Sequence, residues 1–549
     1  MMRQNIRPKS DLPTVILHWG IVATLLLSLA TGLRIAADMP GASWSQSVAG
    51  ILPQGNVIAW HLWGAMALLG FSAAYVGFLW KAGLLTRIAL NRAWWRMLRS
   101  PPEGQTRWKA INILVYWLAF AALVMAGLTG VLLNLAPGLV PFALLASVHQ
   151  ALAWSIPAYI VVHVVALALM GGLGHLLKIL RPQRAFGPAA VVGLVAGSAV
   201  MAAFYAVEQT SRDTLAVARV TTTPDLDGKA SDPIWQNANE VVIPTMRGEN
   251  LPGGEVDVTV RAVHDGEFFY GLFQWPDSTR SFKHLPLVKH VDGWRVQQTE
   301  FGIQDEDAYY EDKFGVMLTR GDGPAGDGSV HLGNQPLAGK PAASGGRGLH
   351  YTTDGGIVDV WHWKSVRSGN PLMNQIDDNY FGPPMEPKES GRYTGGYTQD
   401  PKTGGGFVMN WEAYSDGVVT PRNLPRDPAM LDAFQNVDLS PTASDEQMLY
   451  LLLKDTVPYD PALDTYPVGT IMPAVLVDAP YEGDRGDVTA VSNWQDGVWT
   501  MEVKRRLDTG SEFDVAFSDD VPVYLWVAVF DHAQTRHSQH LHPVTVAME

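Results

Sequence analysis

Two histidines lie within an apolar stretch, residues 147–177, that is long enough to span a lipid bilayer. His149 and His163 are fourteen residues apart. A helix turns about 100° per residue, so both imidazoles project from nearly one face, about 21 Å apart along the axis. That distance covers most of a hydrocarbon core of about 30 Å. Pro157, between the two histidines, is a candidate kink that would shift this phase. Two imidazoles stacked in this way are the arrangement that holds two haems, one above the other.

A simpler interpretation gives this helix one buried, hydrogen-bonded histidine and one interfacial histidine. Two other apolar stretches favour the haem interpretation because each also carries a histidine near one end. His18 lies in residues 13–33, and His61 lies in residues 57–80. Ionisable side chains within membrane spans are rare and usually serve a function.

Five apolar stretches predict five transmembrane helices. They are residues 13–33, 57–80, 111–133, 147–177 and 188–207. The first stretch follows three basic residues, and this pattern also matches a cleaved signal peptide. It is longer than the apolar region of a signal, and three more spans follow before any soluble region, so we interpret it as a helix. The fifth is uncharged and rich in small residues, which predicts an anchor and a link to the soluble half.

Charge divides the chain near residue 207. Residues 1–207 hold 14 Lys and Arg against 3 Asp and Glu, whereas residues 208–549 hold 26 against 51. The first part is a basic membrane protein and the second is an acidic soluble one. An acidic soluble half excludes nucleic acid as a partner, because nucleic acid requires a basic face.

The distribution of Lys and Arg among the loops predicts the orientation. Segments 81–109 and 178–187 are basic, like the N-terminus, whereas segments 34–56 and 134–146 are nearly free of positive charge. The positive-inside rule then places the N-terminus in the cytoplasm of a bacterium and the soluble half in the periplasm, across the inner membrane. The absence of cysteine excludes disulfides, iron–sulfur clusters and covalently attached c-type haem.

This orientation predicts which histidines share a haem. His61 and His149 each begin a helix on the outer side, which pairs them for an outer haem. His18 and His163 lie deeper and form the inner pair. His175 lies about 120° round the helix from His163, so we expect it at the interface or near a quinone.

The pattern resembles the bacterial di-haem cytochrome b family, which includes the membrane subunits of formate dehydrogenase and nickel–iron hydrogenase. The LHW of Leu17–Trp19 and the WHLWG of Trp60–Gly64 fit the helix starts of that family, and the resemblance covers residues 10–185. It implies b-type haems, exchange with quinones and electron transfer across the membrane. The fusion to a large soluble domain departs from those small subunits, so their partner is not carried over.

From residue 214 onward, short alternating apolar patterns and turn residues predict an all-β sandwich. The predicted hairpins are Val256–Trp275, turning at Asp265-Gly266, and Val488–Leu507, turning at Asp496-Gly497. Residues 521–531 predict a buried strand. The long Gly- and Pro-rich segments 320–350 and 367–447 are typical of functional loops.

Residues 226–238, the first hairpin, the VDVWHWK of Val358–Lys364 and the closing strand resemble the haem-binding domain of the ethylbenzene dehydrogenase gamma subunit. Related subunits occur in dimethylsulfide and selenate enzymes, and the resemblance covers about residues 214–549. It implies one b haem between the sheets, held by Met and Lys, and electron exchange with a molybdenum enzyme. The opening phrase also begins some carbohydrate-binding sandwiches.

This chain departs from the ligand pattern of that family. By a rough alignment, the Met position falls at His350, and the Lys position falls nearest His540, with His537 second. The domain is therefore predicted to be a bis-histidine b cytochrome of lower potential, because His is a stronger donor to ferric iron than Met. Two questions stay open. His362 is either packed or lines a pocket, and residues 532–542 form either a solvated loop or an adventitious metal site.

The sequence thus predicts a di-haem membrane domain (1–187), a fifth anchor and linker (188–213) and a periplasmic haem-binding β-sandwich (214–549). The leading functional prediction is an electron-transfer protein with two membrane haems and one periplasmic haem. It would connect the quinone pool with a periplasmic redox protein or a molybdoenzyme-like partner, as a monomer or as a homo- or hetero-oligomer. Quinol or quinone oxidoreductase activity of its own is left open. The alternatives are a ligand- or carbohydrate-binding sensor on a redox anchor, which the 19 Trp permit, and a terminal reductase of a small oxidant.

Overall fold

The chain divides into two compact units. The computed structural model describes residues 10–39, 45–100, 105–183, 187–299, 306–327, 330–333, 335–342, 348–388, 393–415, 417–518 and 520–549. The membrane unit comprises Met1–Ala37, Ile51–Pro53 and Val57–Ser211. The β unit comprises Asp38–Gly50, Gln54–Asn56 and Arg212–Glu549.

Among the described residues, five helices are long and apolar enough to cross a membrane, as the sequence predicts. In chain order the α-helices are α1 Leu12–Ala37, α2 Ser45–Val48, α3 Val57–Lys81, α4 Arg92–Leu98, α5 Gln105–Leu135, α6 Phe142–Leu176, α7 Pro188–Thr210, α8 Pro233–Asn237 and α9 Pro324–Asp327. The five spans are α1, α3, α5, α6 and α7. Short 3₁₀ segments are Ala49–Ile51, Leu84–Arg87, Leu177–Leu180, Pro252–Gly254, Pro428–Phe434, Leu453–Asp455 and Asp484–Gly486.

The helix α6 carries both His149 and His163 on an uninterrupted helical backbone. Pro157 lies inside the helix without a departure from helical φ and ψ. The departure lies further on, at Gly171 (φ −167°) and Gly172 (φ 61°). Helical φ and ψ therefore continue through Pro157, and the fourteen-residue spacing keeps the two imidazoles on nearly one face.

The fifth span packs closely on the second. A Cβ atom at Gly193 would lie 2.7 Å from the carbonyl oxygen of Ala74, and one at Gly197 would lie 2.7 Å from that of Gly70. These two glycines are four residues apart, which is the spacing that lets two membrane helices approach closely. The helix α7 is therefore part of the packed bundle as well as a connection to the β unit.

The strands of the chain are short, and all but the first two belong to the β unit. They are β1 Ser10–Asp11, β2 Pro182–Gln183, β3 Thr214–Arg219, β4 Glu240–Thr245, β5 Val256–His264, β6 Phe268–Pro276, β7 Leu287–His290, β8 Gly293–Val296, β9 Lys313–Thr319, β10 Val330–His331, β11 Leu349–His350, β12 Val358–Lys364, β13 Asp377–Phe381, β14 Tyr397–Gln399, β15 Gly404–Met409, β16 Trp411–Ser415, β17 Val418–Pro421, β18 Asn423–Pro425, β19 Tyr450–Leu452, β20 Thr456–Pro458, β21 Ile471–Met472, β22 Val475–Glu482, β23 Thr489–Gln495, β24 Val498–Arg506, β25 Val523–Phe530 and β26 Val544–Met548.

A twelve-stranded sheet forms the sandwich by folding over on itself. Its first half has the order β14-β13-β12-β9-β25-β26, and its second half has the order β3-β5-β6-β24-β23, with β4 paired to β5. The last strand, β26, joins the halves because it pairs antiparallel with β25 and parallel with β3. An aromatic core lies between the halves, where Trp275 contacts Trp363 (ring centroids 6.0 Å apart) and Phe269 contacts Trp361 (6.2 Å).

The two predicted hairpins are confirmed as β5–β6 and β23–β24. Asp496 (φ 53°) and Gly497 (φ 82°) both have positive φ at the second turn, as a two-residue hairpin of type I′ requires. The segment 367–447 is more than a loop. It contributes β13 to β18, and several of these strands pack with residues after 447 around a second, smaller core that includes Trp294 and Met472.

Candidate functional site

The predicted outer pair of histidines is brought together in the membrane unit. His61 on α3 and His149 on α6 have ring centroids 6.2 Å apart, with the ring planes at 81°. A metal held between two imidazoles, at about 2 Å from each nitrogen, requires centroids about 6.4 Å apart. The spacing of the two rings therefore matches that of two ligands of one metal ion.

The hydrogen bonds of His149 determine which ring nitrogen is available for a metal. Its Nδ1 lies 3.1 Å from the carbonyl oxygen of Ala126 and 3.0 Å from Oγ1 of Thr129. A carbonyl oxygen only accepts hydrogen bonds, so Nδ1 of His149 must carry the proton. The lone pair then lies on Nε2, and the neutral ring is a metal ligand through that atom.

The same arrangement recurs at His61. Its Nδ1 lies 3.0 Å from Oγ1 of Thr31, whose own hydroxyl donates to the carbonyl of Leu27 at 2.7 Å. The residue after each threonine is a glycine, and a Cβ there would lie 3.2 Å from Cε1 of the histidine ring at both Gly32 and Gly130. A Thr-Gly pair on α1 therefore positions the histidine of α3, and a Thr-Gly pair on α5 positions the outer histidine of α6.

The predicted inner pair also lies together. His163 has His18 as an electrostatic neighbour, and its Nδ1 lies 3.1 Å from Oδ1 of Asn112 on α5. Its ring also stacks on Tyr159, with centroids 5.4 Å apart. Asn112 therefore accepts the hydrogen bond from the histidine Nδ1 in the inner pair, as Thr129 does in the outer pair. The side chain of His175 lies outside the described residues.

Sequence reasoning missed Thr31, Thr129 and Asn112. The signal for the threonines is present, because a Thr-Gly pair occurs in both α1 and α5. The third span carries no histidine, yet it supplies two of the three side-chain acceptors that orient the imidazoles.

A second group of histidines lies in the β unit, over the outer face of the first half of the sheet. Strand register places three rows of side chains on this face, across β12, β9 and β25. The rows are Val360–Met317–Trp526, His362–Gly315–Ala528 and Lys364–Lys313–Phe530. We call this surface the histidine face. It is opposite to the core face that carries Trp361 and Trp363, because side chains alternate along a strand.

The middle row of the histidine face combines one imidazole with two very small residues. The three atoms nearest to a Cβ at Gly315 would be Cβ and the carbonyl oxygen of Ala528 and Cε2 of Phe530, at 3.7–3.9 Å. His362 stacks on Phe530 at 5.4 Å, and its Nε2 is buried without a hydrogen-bond partner in the described part of the chain. The row therefore offers an imidazole nitrogen without a partner in the described residues, next to two small residues.

Charge and burial keep His362 neutral. Burial lowers its pKa well below the ordinary range, and the positive charges of Lys364 and Lys313 lower the pKa further. Burial also lowers the pKa of Lys364 to about 8, in spite of its ion pair with Asp377. A neutral imidazole with an unshared lone pair is the form that binds a metal.

All three predicted ligands of the β unit pack against side chains of the histidine face. His350 stacks on Phe381 at 4.7 Å, His537 lies 4.8 Å from Phe530, and His540 lies 5.2 Å from Trp526. Phe381 shares this face because it pairs with Val358 of β12.

His350 and His540 do not face each other as an axial pair. The strands beneath them, β13 and β25, are three places apart, which is about 14 Å at ordinary strand spacing. Nε2 of His540 also accepts from the N–H of Val527 at 2.9 Å, and its Nδ1 donates to the carbonyl of His542 at 2.7 Å. Both nitrogens of His540 are therefore engaged, and the geometry does not support it as an iron ligand.

The position between the sheets, which the family resemblance implies for the haem, is filled by the aromatic core. Trp275, Trp361, Trp363 and Trp499 are fully buried there. Trp275, Trp363 and Trp499 contact one another, and Trp361 contacts Phe269. The histidines lie instead on the opposite face of the first half-sheet. Among the histidines of this face, His362 is the best candidate to bind an iron porphyrin. Its Nε2 has no hydrogen-bond partner in the described residues, and its neighbours in the row, Gly315 and Ala528, are small.

Comparison with known proteins gives two family matches that together cover most of the chain. The model described as ethylbenzene dehydrogenase matches residues 232–541, and the model described as prokaryotic cytochrome b561 matches residues 9–182. The second match assigns b-type haem and membrane electron transfer to the membrane unit. No curated protein matches the chain.

Two solved structures are similar over part of the chain. Both are of a family 9 carbohydrate-binding module from Caldicellulosiruptor kristjanssonii. The glucose complex is 8% identical, covers 61% of this chain and 95% of its own, and has a TM-score of 0.22. The cellotriose complex is 7% identical, covers 61% and 94%, and has the same TM-score of 0.22.

Removing the threonine acceptor should raise the midpoint potential of the outer membrane haem. In Thr129→Val the ring of His149 loses one acceptor, donates less electron density and stabilises ferric iron less. One hydrogen bond is worth about 1 kcal/mol, which is about 40 mV for a one-electron couple. A spectroscopic redox titration of the purified protein measures this shift.

The control for this substitution is Thr24→Val. Thr24 lies on α1 and donates to the carbonyl of Gly20 on its own helix. Equal midpoint potentials of the outer haem in the two variants would contradict the role of Thr129 as a hydrogen-bond acceptor for His149.

Proposed function

We propose that this chain, which belongs to the ethylbenzene dehydrogenase family and carries a cytochrome b561 membrane domain, transfers electrons between the quinone pool and a periplasmic redox partner. Two haems in the membrane unit and one in the β unit form the electron path. The observation that carries the proposal is the facing pair His61 and His149, with ring centroids 6.2 Å apart.

The side chains around each pair prepare neutral imidazoles for iron. Bound haem b supplies a one-electron couple, and ligation by two histidines leaves no open position on the iron. Thr31, Thr129 and Asn112 hold the proton on Nδ1, so Nε2 of each partner histidine keeps its lone pair. The rings are fixed before any change of redox state, which favours rapid electron exchange.

The two pairs connect the two sides of the membrane. Helix α6 contributes one histidine to each pair, about 21 Å apart along its axis. Quinones dissolve in the apolar core of the bilayer, where the membrane unit has its five spans. We therefore propose that quinol or quinone exchanges electrons with the membrane unit.

In the β unit, we propose that His362 holds a third haem through Nε2. This replaces the predicted pair of His350 and His540. The support is the unpartnered nitrogen of His362 and the small residues Gly315 and Ala528, which leave room for a flat macrocycle beside it. His537 contacts the same Phe530 ring as His362 and is the nearest of the predicted ligands.

The proposed location is the bacterial inner membrane, with the N-terminus in the cytoplasm and the β unit in the periplasm. The basic segments 81–109 and 178–187 support this orientation. The partner would be a periplasmic redox protein, with a molybdenum enzyme as the preferred class because of the family of the β unit.

Replacement of the membrane histidines should remove haems one at a time. The purified protein should contain about three haem b per chain by the pyridine haemochrome assay, and His149→Ala and His163→Ala should each contain about one fewer. The double variant should contain about one. The control is His290→Ala, an exposed residue at the end of β7 in the β unit. Retention of all the haem in either single variant would refute the pairing.

Replacement of His362 should distinguish the two possible sites in the β unit. We expect His362→Ala to lower the haem content from about three to about two per chain and to leave the membrane haems reducible by a quinol analogue. His540→Gln should retain three. If a folded His540→Gln protein lacks the third haem while His362→Ala keeps it, the site assigned to His362 is wrong.

The natural absence of cysteine makes the orientation directly testable. A membrane-impermeant maleimide added to cells with a permeabilised outer membrane should label Lys229→Cys, on the surface of the β unit. It should label Arg96→Cys, on the exposed side of α4, only after the inner membrane is also disrupted. Labelling in the reverse order would invert the proposed orientation.

A further inference from the structure

Five aspartates meet inside the β unit, away from the histidine face. They come from separate segments: Asp359 from β12, Asp378 from β13, Asp400 after β14, Asp487 before β23 and Asp514 after β24. Carboxylate oxygens of Asp359, Asp378 and Asp514 lie within 4.8 Å of one another. Asp487 is within hydrogen-bonding reach of Asp378 and Asp514, and Asp400 is within reach of Asp514. We call these five residues the aspartate cluster.

The cluster is buried, and its oxygens are only partly satisfied. Asp359 and Asp378 have no exposed surface, and Asp400 is 3% exposed. Within the part of the chain that the structure describes, six carboxylate oxygens of the cluster have no hydrogen-bond partner. They are Oδ1 of Asp359, Oδ2 of Asp378, both oxygens of Asp400, Oδ1 of Asp487 and Oδ1 of Asp514. A buried acceptor without a donor is unfavourable, so this many within one cluster indicate a missing ligand.

The other oxygens of the cluster are anchored by the protein. Oδ2 of Asp359 accepts from the N–H of Val515 at 3.1 Å, and Oδ1 of Asp378 accepts from the N–H of Asn379 at 2.9 Å. Oδ2 of Asp514 accepts from Thr509 at 2.5 Å. Three of the carboxylates are therefore held in place by one oxygen and present the other to the centre of the cluster.

The five carboxyl groups of the cluster are paired with very little positive charge. Arg505 is fully buried, and its Nη2 lies 3.2 Å from Asp359 and 3.1 Å from Asp514. It is the one basic side chain that forms ion pairs with these five residues in the described structure. Burial and the neighbouring carboxylates raise the pKa of Asp359 to about 7 and that of Asp400 to about 8, and Tyr380 is a further titratable neighbour of Asp400. With one guanidinium against five carboxyl groups, the cluster must either hold protons or bind a cation.

We propose that the aspartate cluster binds a divalent cation and that the ion is calcium. Calcium takes six to eight oxygen ligands, largely from carboxylates, and accepts irregular geometry. The cluster offers six unpartnered oxygens and no nitrogen or sulfur ligand, which disfavours zinc, copper and iron. Magnesium fits less well because it usually keeps several waters and uses one or two carboxylates.

The cation would tie three segments outside the strands to two adjacent strands of the sheet. Asp359 and Asp378 lie on adjacent strands, β12 and β13. The other three lie outside strands, and the segment of Asp514 leads into β25, which carries Ala528 and Phe530 of the histidine face. We therefore expect the ion to stabilise the β unit as a whole.

Calcium binding to the full-length protein tests this inference, with calcium chloride as the probe. After removal of metal by a chelator, calorimetric titration in detergent should show one calcium per chain, and calcium should raise the midpoint of thermal unfolding by about 3 °C or more. Magnesium at the same concentration should give a smaller shift. Binding should tighten from pH 6 to pH 8, because the ion displaces protons from carboxylates whose pKa is raised. The absence of calcium binding at pH 8 would overturn the proposal.

Two substitutions separate a cation site from a proton-sharing cluster. Asp400→Asn should weaken calcium binding by about tenfold or more. In chelator it should unfold at the same temperature as the unaltered protein or higher, because one repulsive charge is removed. Asp496→Asn, in an exposed turn, is the matched control and should bind calcium normally. Unchanged calcium affinity in Asp400→Asn would exclude the cluster as the site. If the variant is still folded in chelator, its loss of calcium binding cannot be caused by unfolding.

Discussion

The membrane unit depends on one interaction, the hydrogen bond from Nδ1 of a buried imidazole to an acceptor on a neighbouring helix. Within a bilayer no water is available to replace a lost partner, so each imidazole needs a fixed acceptor. Thr31, Thr129 and Asn112 supply it for three of the four histidines. The acceptor sets the tautomer, and the tautomer decides whether Nε2 is a ligand. Helix α5 is therefore as necessary to the site as the helices that carry histidine.

Much of the membrane unit is predictable from the sequence because its signals are local. A long apolar stretch can satisfy its backbone only as a helix, and the depth of each histidine follows from its position in that helix. Pairing by depth thus places His61 with His149 and His18 with His163. The acceptors are harder to predict because Thr in an apolar helix commonly bonds to its own backbone, as Thr24 does with Gly20. Only the neighbouring helix distinguishes Thr31 from Thr24.

In the β unit, the hairpins are predictable from the sequence but the candidate sites are not. Its hairpins are predictable because a turn such as Asp496-Gly497 specifies its own pairing. The histidine face is not predictable in this way, because Gly315, His362 and Ala528 are distant in sequence and meet only through strand register. A motif alignment selects His540, but the N–H of Val527 already occupies its Nε2. The aspartate cluster is hidden for the same reason, since its members come from five separate segments.

The position of β26 has a consequence for biogenesis. This strand, Val544–Met548, lies at the seam of the large sheet, between β25 and the first strand of the β unit, β3. Residues about 330 positions apart must therefore pair before the two halves are joined. The sheet therefore cannot close until the chain has been made as far as β26. A product that stops before β26 would present two unpaired edges, those of β25 and β3, to any chaperone or protease that it meets.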